Sequence, residues 1–175
     1  MRDLKKKIIL VAPAAGGKDF LKDQFAMKGL VPAISVTTRP MRDLEVDGET
    51  YHYVSEYIFD ELKGFGAFYE AKCFNGWKYA TTFADWHNAD IFIQTPSGVA
   101  SISEEDRLNC FVIFLDIPLE YRMERLMERV DADTMDRRIE ADRKDFEGFS
   151  DYDMIVTQPN FNSTDVTSLA IALCQ

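Results

Sequence analysis

The sequence predicts an α/β fold in which helices cover both faces of a parallel sheet. Short apolar runs rich in β-branched residues recur along the chain as KIILVA, PAISVT, DIFIQT, CFVIFLD and DMIVTQ. Most of them are apolar at nearly every position, which is typical of strands that are buried on both faces. Amphipathic helical patterns lie between these runs, and such an alternation of strands and helices indicates a parallel sheet.

Size and composition narrow the possible classes of protein. The 175 residues fit one domain, and they contain no linker, repeat or low-complexity tract. A formal net charge of −10 at pH 7 disfavours duplex nucleic acid as a partner, and three cysteines without C-x-x-C spacing indicate reduced structural thiols. The basic and apolar N-terminus resembles a signal peptide but continues directly into GGKDF. We therefore expect a cytoplasmic protein without a membrane partner, either a monomer or a small homo-oligomer.

The segment VAPAAGGKDF after the first strand nearly matches the phosphate-binding loop G-x-x-x-x-G-K-[ST]. In such a loop the amides of Gly16, Gly17 and their neighbours face phosphate oxygens, and Lys18 bridges the transferred phosphate. Ala12 replaces the first glycine, and Asp19 replaces the hydroxyl that binds magnesium. Because a carboxylate is a good ligand for Mg²⁺, the variant loop predicts strict metal dependence. The alternative is a plain Ala/Gly turn with an exposed lysine.

Two helical patterns follow with their own end signals. In GKDFLKDQFAMKG, four apolar residues are predicted to share one side of a helix that ends at Gly29. These residues are Phe20, Leu21, Phe25 and Met27. In SEYIFDELKG, Ser55 is predicted to cap a helix that ends at Gly64.

The segment PLEYRMERLMERV predicts a helix from Pro118 to Val130 in which charges of opposite sign lie on opposite flanks. Its predicted buried stripe consists of Leu119, Met123, Leu126, Met127 and Val130. Three arginines, Arg122, Arg125 and Arg129, are predicted to lie along one flank of that stripe. An anion between them would stabilise these like charges, whereas the alternative is an ordinary solvated face.

A second set of polar residues follows in SVTTRPMRDLEVDGETYHYVS and FYEAKCFNGWKYATT. Arg39 and Arg42, together with nearby hydroxyls and Tyr51, can hold one phosphate through charge-assisted hydrogen bonds. Glu70 can accept hydrogen bonds from two neighbouring N–H donors, as on the N1/N2 edge of guanine, and Thr81 can donate to a carbonyl oxygen. Taken one by one, these residues are more simply interpreted as surface turn, strand or core.

Their spacing resembles that of the guanylate kinases. The pattern S-V-T-T-R-P-M-R-x-x-E-x-x-G-x-x-Y from Ser35 to Tyr51 matches the GMP-binding signature of that family almost throughout. The pattern E-(x)8-Y-A-T from Glu70 to Thr81 is similar to its base-reading segment. In addition, R-L-M-E-R at 125–129 and D-R-R-I at 136–139 look like its arginine-bearing lid, shortened by a few residues.

The resemblance implies a three-layer P-loop kinase fold with a parallel five-stranded core sheet, a small α+β insertion for GMP and a helical lid. The core would comprise 1–34, 86–120 and 148–175, the insertion 35–85 and the lid 121–147. The implied reaction transfers the γ-phosphate of ATP to GMP or dGMP, with Mg²⁺ as cofactor. The implied catalytic residues are Lys18, Arg39, Arg129 and Arg138. The implied ATP-binding residues are Ala14, Ala15, Gly16, Gly17, Lys18, Asp19 and Arg125, with Asp19 as the metal ligand. The implied GMP-binding residues are Ser35, Arg39, Arg42, Glu45, Tyr51, Glu70, Tyr79 and Thr81.

Two further departures from the family pattern keep alternatives open. The acidic motif D-I-D-x-Q-G appears as I-Q-T-P-S-G at 93–98, and because one missing aspartate helps to read guanine, base selection is expected to relax. V-T-Q at 156–158 replaces V-N-D, which puts adenine selection of the donor in doubt. The alternatives are a kinase of other (deoxy)nucleoside monophosphates and a non-catalytic binding module. The second is disfavoured because the loop lysine and the lid arginines are present.

Overall fold

A computed structural model of the chain describes residues 4–74, 76–127 and 135–175. They divide into two compact units, a larger one within Met1–Pro32 and Asp90–Gln175 and a smaller one, Ala33–Ala89. Within the described ranges, no helix combines the length and the apolar character needed to cross a membrane.

Strands and helices alternate along the chain. The strands are β1 (Lys7–Val11), β2 (Val36–Thr37), β3 (His52–Tyr53), β4 (Phe68–Phe74), β5 (Trp77–Thr82), β6 (Ile91–Gln94), β7 (Cys110–Leu115) and β8 (Met154–Val156). The helices are α1 (Lys18–Met27), α2 (Glu56–Gly64), α3 (Phe83–Asn88), α4 (Pro96–Ala100), α5 (Glu104–Leu108), α6 (Leu119–Met127), α7 (Met135–Phe146) and α8 (Ser163–Cys174).

The larger unit is built on a parallel sheet with the strand order β6-β1-β7-β8. Every residue of β7 is buried, as the continuous apolar pattern predicts for a central parallel strand. Leu21 and Phe25 of α1 pack against this sheet with α8 and are fully buried. Burying such a side chain stabilises the fold by about 1.5 to 3 kcal/mol. The predicted α/β class with a parallel sheet is therefore confirmed.

The predicted number of five strands is wrong for the described residues, which form a four-stranded parallel sheet. The run PAISVT was predicted to supply a strand of this sheet, but it meets β6 only through an isolated bridge between Pro32 and Ile91. Proline has no backbone N–H, so it cannot donate to a continuing ladder. Farther along the same run, Val36 and Thr37 pair with β3 and β5 instead.

The smaller unit contains a mixed sheet with the strand order β3-β2-β5-β4. Strands β4 and β5 form an antiparallel pair, and β2 runs antiparallel to β5 and parallel to β3. The Ser55 hydroxyl accepts a hydrogen bond from the Ile58 amide at 3.3 Å and caps α2, as predicted. Phe59 of α2 is buried against Val36 and Ala80 of the sheet.

The apolar stripes predicted for α1 and α6 are partly wrong. On α1, Phe20 and Met27 are 53% and 77% exposed, because the buried face is narrower than four residues. On α6 the buried residues are Arg122 and Leu126, one turn apart, whereas Met127 is exposed. Leu119 of the predicted stripe is 37% exposed, Met123 is half-buried, and Val130 lies outside the described residues.

Candidate functional site

The glycine-rich loop joins the end of β1 to the start of α1. Val11, the last residue of β1, lies in register with Gln94 of β6 and Phe114 of β7. The loop therefore leaves the carboxyl end of the parallel sheet, which is where α/β proteins bind their ligands. Lys18 begins α1, so it lies beside the positive end of that helix.

Hydrogen bonds inside the loop determine its shape. The Gly16 amide donates to the Pro13 carbonyl at 3.0 Å, and Gly17 precedes α1 with a φ of 93°. A side chain at Gly16 would place its Cβ 2.8 Å from the Ala12 Cβ and 2.9 Å from the Pro13 oxygen. Glycine is therefore required at position 16 for packing. The Gly16 amide, which is predicted to face a phosphate, donates to a carbonyl inside the loop in this structure.

Two arginines of α6 hold successive carbonyls of the loop. Arg122 Nη1 donates to the Ala14 oxygen and Arg125 Nη1 to the Ala15 oxygen, both at 3.1 Å. Ala15 has a φ of 59°, an uncommon conformation for a residue with a side chain. Arg125 also donates to the Pro159 oxygen at 3.3 Å. Both side chains thus contact the loop, although the prediction placed Arg122 on an anion-facing flank.

Asp142 of α7 completes these contacts, and sequence reasoning missed it. Its Oδ2 accepts a hydrogen bond from the Ala14 amide at 2.8 Å and lies 3.3 Å from Arg122 Nη1. Burial raises the pKa of Asp142, and contacts with the Ala14 amide, Arg122 and Lys18 only partly offset that effect. The sequence shows no signal that separates Asp142 from the other acidic residues of α7, because only burial distinguishes it.

A cleft of about 560 Å³ lies beside the loop, within the larger unit. It is lined by Ala15, Gly17, Lys18, Asp19, Phe20, Arg125, Pro159, Asn160 and Phe161. The Phe20 and Phe161 rings lie 6.4 Å apart between centroids. Aromatic rings beside a guanidinium suit a planar base, and Lys18 at a helix N-terminus suits phosphates, so the cleft fits a nucleotide.

The structure describes the predicted metal ligand Asp19 but not the side chains of the predicted lid residues Arg129 and Arg138. Asp19 is exposed and lines the cleft one residue after Lys18, so one hard carboxylate is available where phosphates would bind. Such a donor fits Mg²⁺, which is usually held by one or two carboxylates plus phosphates and water. The described residues contain no cluster of three or more potential metal ligands. Arg129 lies outside the described residues, and Arg138 belongs to α7, where its side chain is not described.

In the smaller unit, Arg39 and Glu45 form a bidentate ion pair. Arg39 Nη2 donates to both carboxylate oxygens of Glu45, at 2.7 and 2.9 Å. The same carboxylate accepts the Tyr53 hydroxyl at 2.7 Å and the Arg42 amide at 2.8 Å. Arg42 Nη1 lies 3.6 Å from Glu45. Glu45 therefore fixes the predicted arginines in place. Tyr53 of β3, which the sequence pattern does not distinguish from an ordinary strand residue, belongs to the same network.

Charges in this network stabilise one another. Burial by itself would raise the pKa of Glu45, but hydrogen bonds from Arg39, the Arg42 amide and Tyr53 outweigh it and lower that pKa to about 2. Burial would likewise lower the pKa of Arg39, yet the hydrogen bond and charge of Glu45 raise it. Burial and the Glu45 contact together raise the pKa of Tyr53. Glu45 is therefore ionised throughout the physiological range.

Three tyrosines surround the Arg39 guanidinium. Its Cζ lies 5.5 Å from the Tyr51 ring centroid and 5.7 Å from that of Tyr53, within range of cation–π attraction. The Tyr51 and Tyr79 ring centroids are 6.0 Å apart. Ser35 precedes β2 and is half-buried, and its carbonyl accepts the His52 amide at 2.9 Å. The structure thus brings Arg39, Arg42, Glu45, Tyr51 and Tyr79 together, as their spacing predicts.

Glu70 and Thr81 face each other across β4 and β5. They are in register, both are buried, and the Thr81 hydroxyl donates to Glu70 Oε1 at 2.9 Å. Tyr79 and Thr81 are two residues apart on β5, so their side chains leave the same face of the sheet. The predicted base-reading pair and Tyr79 therefore lie on the same face of the sheet in the smaller unit.

Comparison with known proteins identifies the family. The model of the guanylate kinase family matches residues 4–173. The chain belongs to the guanylate kinase family. The guanylate kinase of Chromobacterium violaceum is 28% identical over 178 residues, covering 95% of this chain and 84% of that protein. The guanylate kinase of Legionella pneumophila is 31% identical over 179 residues, covering 94% and 84%. The crystal structure of guanylate kinase from Anaplasma phagocytophilum matches with a TM-score of 0.73 at 18% identity, covering 97% of this chain and 84% of that one.

Membership in the guanylate kinase family confirms the resemblance inferred from the sequence, and the structural match agrees with the fold. The assignment covers both units, because the matched residues include the phosphate loop and the Arg39 network. The roles of individual residues in this chain are predictions.

Proposed function

We propose that this chain transfers the γ-phosphate of ATP to GMP or dGMP and releases GDP or dGDP. The supporting observation is the position of Lys18, which begins α1 and lines a nucleotide-sized cleft in a member of the guanylate kinase family. A non-catalytic binding module has no need of a cation at that position. Relatives over nearly the full length of the chain are named guanylate kinases, which agrees with this reaction.

Phosphoryl transfer depends on positioning and on neutralising charge rather than on covalent chemistry by the protein. On the donor side, Lys18 and the amides at the start of α1 would hold the phosphates, and Arg125 and Phe161 would flank the base. Asp19 would hold Mg²⁺, directly or through water. When bound, Mg²⁺ neutralises phosphate charge. We assign catalytic roles to Arg129 and Arg138 from the family pattern.

On the acceptor side, Arg39 and Arg42 would hold the phosphate of GMP together with Ser35, Tyr51 and Tyr79. Both hydrogen bonds that Glu45 accepts from Arg39 come from Nη2 and fix the orientation of the guanidinium, so we assign Glu45 a supporting role rather than direct contact with the phosphate. The Glu70 carboxylate and the Thr81 hydroxyl would read the base. The Thr81 hydroxyl donates its single proton to Glu70 at 2.9 Å, so reading a carbonyl of the base through Thr81 would require that proton to turn from Glu70 to the base.

A panel of nucleoside monophosphates tests this function. Each of GMP, dGMP, AMP, CMP and UMP is incubated with ATP and Mg²⁺, and formation of the diphosphate is measured. We expect GMP and dGMP to react much faster than the others. Comparable rates for all bases would favour the alternative that the absence of the two aspartates at 93–98 leaves open, a kinase of broad base selection. Inertness of the whole panel would favour a binding module and refute the proposal.

A further inference from the structure

Arg122 and Asp142 hold both main-chain groups of a single loop residue. The Ala14 carbonyl accepts from Arg122 Nη1 at 3.1 Å, and the Ala14 amide donates to Asp142 Oδ2 at 2.8 Å. The two side chains are bonded to each other at 3.3 Å, and Arg122 Nε donates to the Ile117 carbonyl at 2.9 Å. Three segments are joined in this way: the loop, α6 and α7.

The two contacts determine the orientation of the peptide groups on either side of Ala14. Because a peptide bond is planar and trans, the Ala15 N–H points opposite to the Ala14 carbonyl. Arg122 holds that carbonyl, so the Ala15 N–H is directed away from Arg122. Ala15 lines the cleft that fits the donor nucleotide. Loss of the Arg122 contact would free the peptide plane to rotate and would misdirect this amide.

Burial makes the pair costly to leave half-formed. Arg122 is 9% exposed and Asp142 is 5% exposed. Burial lowers the pKa of Arg122, although the charges of Asp142 and Asp116 and the hydrogen bond to Asp142 partly oppose it. Two opposite buried charges compensate each other, whereas a buried charge without its partner is strongly destabilising. The pair can therefore hold the loop without placing a net charge beside bound phosphates.

We propose that Arg122 and Asp142 are positioning residues for the donor phosphates, acting through the two peptide groups that flank Ala14. The inference rests on the proposed function, since it requires ATP in the cleft beside Lys18. It assigns α7 a part in ATP binding through Asp142. It also explains why a carboxylate lies within electrostatic reach of Lys18, at a loop that has to receive a polyanion.

Removing the Asp142 carboxylate distinguishes a positioning role from simple charge repulsion, because the two predict opposite changes in ATP affinity. In Asp142→Ala the Ala14 amide loses its acceptor, so positioning predicts ATP binding weaker by about tenfold or more. Simple charge repulsion predicts tighter binding in the same variant. Asp142→Asn keeps an acceptor oxygen and is expected to restore most of the affinity. The dissociation constants of ATP with Mg²⁺ and of GMP are measured by titration calorimetry.

GMP provides an internal reference, because the predicted GMP residues all belong to the smaller unit. We expect the GMP dissociation constant to stay unchanged in both variants. The double variant Arg122→Met with Asp142→Ala removes both buried charges and is expected to fold even if a single variant does not. It should still bind ATP about tenfold more weakly, because neither group of Ala14 is held. Arg143→Ala, in an exposed ion pair with Glu140 on α7, is the matched control and should bind ATP normally.

Three results would overturn the inference. If the wild type binds ATP, and Asp142→Ala and the double variant bind it equally or more tightly, the positioning role is wrong while the proposed function stands. A wild type that binds neither ATP nor GMP would remove the proposed function and this inference together. A fall in thermal stability with equal weakening of ATP and GMP would show a general structural role and would also overturn the positioning role.

Discussion

The loop at the end of β1 and the Arg39 network are held in place by different parts of the polypeptide. In the loop, side chains of α6 and α7 bind main-chain groups of Ala14 and Ala15. In the smaller unit, Arg39, Glu45 and Tyr53 bind one another through their side chains. A site made of main-chain groups tolerates changes of residue type that preserve the backbone. A site made of side chains does not.

This difference explains which departures from the family pattern the fold can accept. Ala12 is buried in the core of the larger unit, and a Cβ at Gly16 would lie 2.8 Å from its Cβ, so Ala12 is compatible with the loop as long as Gly16 remains glycine. In the smaller unit the two signature arginines that contact Glu45, Arg39 and Arg42, are both present. The comparison leads to predictions that differ between the two regions.

The largest effect on the reaction rate is expected at Lys18, the side chain that the phosphate-binding loop itself contributes to the site. Lys18→Ala should lower the rate of GDP formation by about a thousandfold, because it removes a cation from the phosphate path. The thermal midpoint should not change, since Lys18 is only half-buried. Lys22→Ala, one turn later on α1, is the control and should keep a normal rate. A near-normal kcat for Lys18→Ala would refute the assignment of Lys18.

The next effect concerns acid stability of the Arg39 network. The pKa of Glu45 is about 2 in the folded protein, against an ordinary value of 4.5. The lowered pKa stabilises the fold above about pH 4.5 by roughly 2 to 3 kcal/mol, and this contribution is lost as the pH falls towards 2. Glu45→Gln should therefore lower the free energy of unfolding by that amount at pH 7, and the difference from wild type should vanish near pH 2.

Unfolding in urea at a series of pH values measures this difference. The exposed Glu49→Gln variant is the control and should follow the wild type throughout. If the difference between Glu45→Gln and wild type stays constant from pH 7 to pH 2, the ion pair with Arg39 does not stabilise the fold in the way described.

A smaller effect is expected at the base-reading pair. Glu70→Gln should weaken GMP relative to other monophosphates by about tenfold, because an acceptor is replaced by a donor that faces N–H groups. The remaining oxygen can still accept the Thr81 hydroxyl, so the sheet should be preserved. The ratio of kcat/KM values for GMP and AMP measures the change, with Thr81→Ser as the conservative control. An unchanged ratio would remove Glu70 from the site.

The smallest effect is expected for Tyr53→Phe. It removes one hydrogen bond to Glu45, while the bidentate contact from Arg39 remains. We expect the KM for GMP to rise a few-fold, about the value of one hydrogen bond, and the KM for ATP to stay constant. Tyr57→Phe on α2, where the side chain is 69% exposed, is the control. An equal rise of both KM values would show that the network serves the fold rather than the acceptor.

Predictions that depended on short stretches of chain held for four strands of the parallel sheet and for one helix cap, but not for the PAISVT strand or the apolar stripes of α1 and α6. Continuous apolar runs identified β1, β6, β7 and β8, because strands buried on both faces need apolar residues at successive positions. Ser55 was identifiable as a helix cap because capping involves residues three apart. The spacing of the signature between Ser35 and Tyr51 identified the family, and the family match agrees.

Only the tertiary structure decided which sheet the strand β2 joins and which charged side chains are buried. The apolar pattern of Val36 and Thr37 suits either sheet, and pairing with residues that are distant in the sequence decides between them. Arg122 and Asp142 look like ordinary charged residues of amphipathic helices, yet the two are buried together against Ala14. The sequence by itself thus determined the elements, the family and the residues of the signature. Which distant groups compensate each other was decided by packing, because the cost of a buried charge depends on its partners in space.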